Sequence, residues 1–333
     1  MSTLDTASPE STVRGRSGEH VWLSFAVRRL VRLLVSVWVL LTAAFGMIHV
    51  IPGDPVRAAL GQNAPAALVE ARRAALGLTD PLWQQYLRYL GDLFTGHFGT
   101  SMSTGLPVSQ VIADRLPATV EIAGYAFLVA VVVAVPLGAG MAVLTRGGRR
   151  GRTELAFTST TVVLAAIPEF LLAVGLVFVF AVSFGWLPVA GRGDPASYLL
   201  PVAALAIGPA AVLSRIVRVE MLAVLHADYV RTARAKRLPS AVVYLRHALP
   251  NALTATLTVA GMLLGAMVAG TVLVENVFAW PGLGSTIVQS IIAKDYPQVQ
   301  AVVLVYGLGV LLVNLVVDVA IAVLDPRSLK KEG

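Results

Sequence analysis

Cysteine is absent from all 333 residues. That excludes disulfides, a thiol nucleophile and thiolate metal ligation. Charge is scarce as well: charged residues make up 14% of the chain and hydrophobic ones 56%. Mean hydropathy is +0.76, which excludes a typical soluble domain and favours several membrane spans. No Gly-x-x-x-x-Gly-Lys-[Ser/Thr] run occurs, so the chain should not bind ATP through a P-loop. His-Glu-x-x-His and Gly-x-Ser-x-Gly are missing too, and His20, His49, His97, His226 and His247 show no metal spacing. No catalytic or metal-ligating residue is therefore expected.

What is present is a succession of long apolar runs. Residues 1–22 are rich in Ser, Thr, Gly and charge, and read as a disordered cytoplasmic tail. Residues 23–51 form the first transmembrane helix. It is retained rather than cleaved, because no small-residue cleavage site follows the apolar run. The helix stops at the turn signal Ile51-Pro52-Gly53-Asp54-Pro55. Residues 52–117 are polar and extracytoplasmic. Leu82, Tyr86, Leu87, Leu90 and Phe94 recur there at helical spacing, as either an amphipathic helix on the membrane surface or a small folded cap. Residues 118–326 hold the other five spans, near Ala118–Leu144, Leu155–Phe184, Tyr198–Val217, Leu253–Val274 and Ala301–Leu324. Gly261 and Gly265 in the fifth span form a small-xxx-small pattern for close helix contact. Residues 327–333 are a basic tail.

The net charge of +7 would suggest nucleic acid in a soluble protein. Its distribution decides otherwise. With the amino terminus inside, the inner segments carry 19 of the 26 basic residues, the asymmetry of a membrane protein with both termini cytoplasmic.

The inner stretch 227–252 stands out. It carries Arg231, Arg234, Lys236, Arg237, Arg246 and His247 against one acid, Asp228. Asp228 is placed to cap a helix, with Val230, Ala233 and Leu238 near one face. Leu238-Pro239 breaks that helix, and a second follows over about Ser240–Ala248. A helix–turn–helix between two spans suits docking to a soluble partner.

This stretch resembles the coupling loop of bacterial ABC importer permeases, whose pattern is Glu-Ala-Ala, three residues, Gly, nine residues, Ile-x-Leu-Pro. The register falls on Arg231-Thr232-Ala233, on Arg237, and on His247-Ala248-Leu249-Pro250. Ala233, Leu249 and Pro250 match in identity. The family's Gly is Arg237 here, so either the turn relaxes with Pro239 making the break, or the loop carries strain of roughly 1–2 kcal/mol. Further runs resemble the dipeptide, oligopeptide and nickel branch of the family: Ile51–Pro55, Leu76–Pro81 with Gln85-Tyr86, Gly96–Ser101, Arg115–Thr119, Val274–Gly284 and Asp295–Pro297. The likeness covers residues 25 to 329.

The resemblance implies an all-α integral membrane protein of six transmembrane helices with the MetI-like permease fold. It implies half of a translocation path for dipeptides or oligopeptides, with glutathione or nickel as alternatives. It also implies partners: a homologous second permease, two cytoplasmic ATPases that hold ATP and Mg, a solute-binding protein outside, and membrane lipid. This chain would bind no cofactor itself. In the implied cycle, ATP binding closes the ATPases, the coupling helices carry that motion into the spans, and access alternates.

Ionisable groups within spans are expensive unless they face water or a partner. Glu169, beside Pro168, either lines the path and meets a substrate ammonium, or bonds a carbonyl freed by the proline. Glu121 lies near the outer end of its span and reads as structural. Asn314 and Asp318 share a helix face, either along the path or paired with Arg215 or Arg218. Trp280-Pro281-Gly282 is either a gate at the outer mouth or an interfacial anchor. A channel, or an enzyme using a Glu169–Asp318 dyad, is the rival from another class.

Overall fold

In the computed structural model, the described residues are 16–50, 55–61, 63–75, 77–148 and 150–324. Residues 51–54 of the first turn signal and all of the basic tail lie outside them. The described chain is helical apart from turns and one isolated bridge, Thr100 to Pro107.

Helix α1 (Arg16–Val50) starts inside the expected tail, since no proline stops the long span from propagating backwards. Three short helices follow in the polar segment: α2 (Pro55–Leu60), α3 (Ala66–Ala75) and α4 (Leu82–Phe94). Helix α5 (Val108–Thr145) begins ten residues before the expected second span and runs through Pro117 and Pro136. A proline inside a helix is costly. Here packing overrides it, because Val108 and Ile112 lie against Leu283, Ala301 and Val302.

The expected third span is two helices. They are α6 (Gly151–Ala166) and α7 (Glu169–Leu176, extended by a π-helical stretch Val177–Ser183), bent by 95° at the break. Ile167 precedes Pro168 and is driven out of the helical region, with ψ of 121°. Helix α8 (Leu199–Leu225) is the most enclosed of the spans. The basic loop comes next, as α9 (Asp228–Ala235) and α10 (Ser240–Val242). Then α11 (Leu249–Val277), the short apolar α12 (Leu283–Ile292) and α13 (Tyr296–Leu324) complete the chain. Five of these helical runs are long and apolar enough to cross a bilayer, and the bent pair makes a sixth if it counts as one span.

Small residues set the close crossings. Along α5, Ala118, Ile122, Ala126, Ala130, Ala134, Gly138 and Ala142 are buried, one every four residues. This stripe faces α8, its main packing partner. At Gly138 a side chain would run into the Ser214 carbonyl and Val217. On α11, Gly261 meets Val317 and Gly265 meets Asn314 of α13, so the expected small-xxx-small contact forms. Helix α1 rides antiparallel on α13, with Arg29 at Asp318 and Leu40 at Gly307.

Candidate functional site

The basic loop has two unlike sides. Val230, Ala233, Val243 and Ala248 are buried in one cluster with Ala142 of α5, Met221 and Leu225 of α8, and Ala252 of α11. Arg231, Thr232, Arg234, Arg237, Arg246 and Pro250 are exposed, and so are the apolar Tyr229, Leu238 and Leu245. His247 and Leu249 are half-buried. Leu238, expected near the same face as Val230 and Ala233, is exposed instead, because it lies past the turn that ends α9. A loop seated on three spanning helices, with cations and apolar knobs outward, can pass a push from outside into the bundle.

Asp228 is not the cap. Ala227 flanks α9, and Asp228 is its first helical residue. Its carboxylate is 3.4 Å from Arg231 and almost fully exposed, so this pair adds little to stability. The turn does not relax: Arg237 takes the left-handed conformation, φ 57°. Its N–H donates to the Arg234 carbonyl at 2.9 Å, and Leu238 N–H reaches Ala233 at 3.4 Å, the Schellman closure. Two more helices end the same way without glycine. Ala279 (φ 45°) leads Trp280 N–H to the Glu275 carbonyl at 2.8 Å, and Lys294 (φ 55°) leads Asp295 N–H to Ser290 at 2.8 Å.

The second half of the loop is not a separate helix. From α10 the chain passes through a π-helical turn, Val243–Ala248, straight into α11. Pro250, which has no N–H to give, sits where the π-helical turn passes into α11. Asn251 Nδ2 donates to the His247 carbonyl at 2.8 Å across this seam. Arg146, in the α5–α6 connection, bonds the Tyr244 hydroxyl and lies over its ring at 5.5 Å.

The charges along the bundle separate into fastened and available ones. Glu121 is held by Arg192 through both oxygens, at 2.6 and 2.7 Å, and by the Tyr198 hydroxyl at 3.1 Å. Asp318 pairs with Arg29 of α1 at 2.6 Å, not with Arg215 or Arg218. The antiparallel register of α1 on α13 brings Arg29 there. Arg218 instead joins three helices, bonding Glu154 at 2.6 Å and Thr145 at 3.1 Å. Asn314 lies with Arg29, Arg32 and Asp318 along a cleft of 400 Å³ between α1, α11 and α13. Glu169 opens α7 just past the bend, and its carboxylate rests on the bare backbone of Gly270 in α11. Glu169 and Asp318 thus have different neighbours, and no dyad forms.

The end of the bundle away from the basic loop is locked by Trp280-Pro281-Gly282 together with Thr119, Glu275 and Asp295, to which the sequence reading gave no role of their own. Glu275 is fully buried. It accepts Thr119 Oγ1 at 2.7 Å, Gly284 N–H at 2.6 Å and Ser285 N–H at 3.1 Å. Thr119 Oγ1 in turn accepts Leu283 N–H at 2.9 Å. Trp280 is fully buried, so it is no interfacial anchor. Its indole N–H donates to the Ala118 carbonyl at 3.0 Å, and Tyr198 meets it edge-on at 4.7 Å. Pro281 and Gly282 carry the chain on to α12, and a side chain at Gly282 would strike the Glu275 carboxylate. Nearby, Asp295 accepts the Ser101 and Ser103 hydroxyls and the Met102 and Ser103 N–H groups. Burial alone would push its carboxyl up, but these donors together outweigh that and hold it below the ordinary aspartate value.

Two family descriptions match the chain. Residues 22–123 match the N-terminal part of the binding-protein-dependent transport system membrane component. Residues 134–330 match the binding-protein-dependent transport system inner membrane component. The chain belongs to this family. Curated relatives span nearly all of it. A glutathione transport system permease protein of Pectobacterium atrosepticum is 37% identical over 304 residues, 91% of this chain and 98% of the relative. The protein of that name from Escherichia coli K12 is 36% identical over the same shares. Among solved structures, an inward-facing form of the MetNI methionine ABC transporter superposes with a TM-score of 0.55 at 19% identity, covering 65% of this chain and 97% of that one.

The permease is thus a multi-pass membrane subunit of an ABC importer, which sets aside the channel and enzyme readings. Its all-α fold is the one expected. The loop whose spacing suggested the family is a single seated unit, and the polar side chains weighed within the spans are scattered: Glu121 and Asp318 in ion pairs, Asn314 in a cleft beside α1, and Glu169 at the bend.

Proposed function

We propose that the permease forms half of a translocation path for short peptides delivered by an extracytoplasmic solute-binding protein. Glutathione, itself a tripeptide, is the first substrate to test, because the relatives at 36–37% identity are named for it. The other half of the path is a homologous second permease. Two cytoplasmic ATPases, which hold ATP and Mg, dock on the basic side of the loop through Arg231, Arg234, Lys236, Arg237, Leu238 and Leu245. Both termini lie in the cytoplasm, as the lysine and arginine distribution supports.

One observation carries this reading. The buried side of the loop, Val230, Ala233, Val243 and Ala248, is fused to α5, α8 and α11, while its cationic side is open. A partner that moves the loop must move three spans. Glu169, on the bend between α6 and α7, is the side chain proposed to meet a substrate's ammonium group. Trp280-Pro281-Gly282 is proposed as the part of the outer lock that yields when access changes.

The test is purification of the permease from its own cells in mild detergent, with the co-purifying chains identified. Two ATPases, a second permease and a binding protein are expected. Glutathione or a peptide eluted from that binding protein would name the cargo. Recovery of the permease alone would sink the docking assignment, and a nickel ion in the binding protein would redirect the substrate.

A further inference from the structure

We propose that α4 lies in the membrane interface of the leaflet opposite the basic loop, with Trp83, Leu87 and Phe94 immersed in lipid. Two observations converge on this. The first is exposure. Trp83, Leu87 and Phe94 fall on one side of α4 and are 63%, 59% and 86% exposed. The side that packs on α1 is a different one, where Tyr86 and Tyr89 meet Phe45 at ring separations of 5.2 and 5.7 Å.

The second is depth. Thr42 Oγ1 donates to the Trp38 carbonyl at 2.9 Å, so the Tyr86 hydroxyl 2.9 Å away donates to Thr42. Thr42 lies within the apolar stretch Val27–Met47 of α1, and the helix runs on to Val50. Tyr86 is therefore anchored below the end of an apolar span, on the lipid side of its boundary, where an interfacial helix buries its apolar face. One turn back along α1 from Thr42, Trp38 is itself 60% exposed. Exposed apolar side chains thus lie within about a turn of the Thr42–Tyr86 contact on both helices, Trp38 on α1 and Trp83 and Leu87 on α4. The occupant of this face is lipid, and a tryptophan at that level suits the headgroup boundary. The position follows from the α1 contacts and the span alone, so it holds whichever side of the membrane the termini occupy.

The natural absence of cysteine makes the test direct. Trp83→Cys, Leu87→Cys and Phe94→Cys are each made in the assembled complex, spin-labelled and reconstituted in phosphatidylethanolamine–phosphatidylglycerol vesicles. Asp92→Cys, on the opposite side of α4 and exposed, is the control. Collision with oxygen, relative to a water-soluble nickel chelate, should be several-fold higher at the three apolar positions than at position 92. High chelate collision at all four would show a water-exposed face and overturn the proposal. Low collision with both reagents at 83, 87 and 94 would show a protein partner on the face and overturn it equally. Adding the binding protein should leave the three oxygen readings unchanged.

Discussion

Arg237, Ala279 and Lys294 do at three helix ends what glycine does at low cost. Each sits past its helix in the left-handed region and sends the next residue's N–H back to close the cap. The strain is local, so Arg237→Gly should raise the stability of the loop by about 1 kcal/mol. Hydrogen exchange of the α9 amides would read that as slower exchange. At the far end Glu275 is the counterpart case of a group that cannot be changed cheaply. Glu275→Gln replaces one acceptor oxygen with an NH₂ amid donors, and should destabilise the lock by about 1–3 kcal/mol. A lowered unfolding midpoint of the purified complex would show it. Arg237 was legible as an anomaly because a family pattern marked its position. Glu275 was not, because its partners Thr119 and Gly284 lie 156 and 9 residues away, and nothing local announces them.

Among the elements, α5 and α8 show how much a four-residue repeat decides. The stripe from Ala118 to Ala142 lets the two helices approach until Gly138 touches backbone. Gly138→Ala should therefore cost about 1–3 kcal/mol through overpacking. Gly140→Ala, with nothing within 4 Å of the added carbon, should be neutral or slightly stabilising. Comparing their unfolding midpoints separates packing from helix propensity. The Asp295 contacts tie the 100–107 turn to the start of α13. Because the folded carboxyl titrates below its ordinary value, this stabilisation is complete above that value and is lost as pH falls through the lower folded one. Cleavage in the 101–106 segment should thus stay slow at neutral pH and rise only in strong acid, whereas Asp295→Asn should cleave faster at neutral pH. Long apolar runs made the spans readable. Their ends were not, because Pro117 and Pro250 look like stops until packing and a π-helical turn are seen beside them. Pro168, read through as part of one span, is where the chain does break.

For the whole molecule, composition already separated a membrane protein from every soluble class, and the loop spacing named the family. What sequence could not supply is which charges are fastened. Asp318 takes Arg29 only because α1 folds back along α13, a choice no spacing rule contains. The same distinction sharpens the docking test. Arg234 is exposed and Ala233 is buried, so the two must be probed apart. Arg234→Glu with Lys236→Glu should weaken association with the ATPases roughly tenfold while the loop stays seated. Ala233→Trp should instead unseat α9 and abolish association by local misfolding, which hydrogen exchange of α9 would distinguish.

From Ser240 to Val277 the helical chain is unbroken for 38 residues, a length of about 55 Å. One end carries the loop proposed to dock the ATPases and the other carries the Glu275 lock. An element this long behaves as a push-rod, and a push-rod works from either end. If grip on the loop changes the free energy of opening the lock, then whatever opens the lock changes the grip by the same amount. A solute arriving at the far side should therefore alter how tightly the ATPases are held, before any nucleotide is spent.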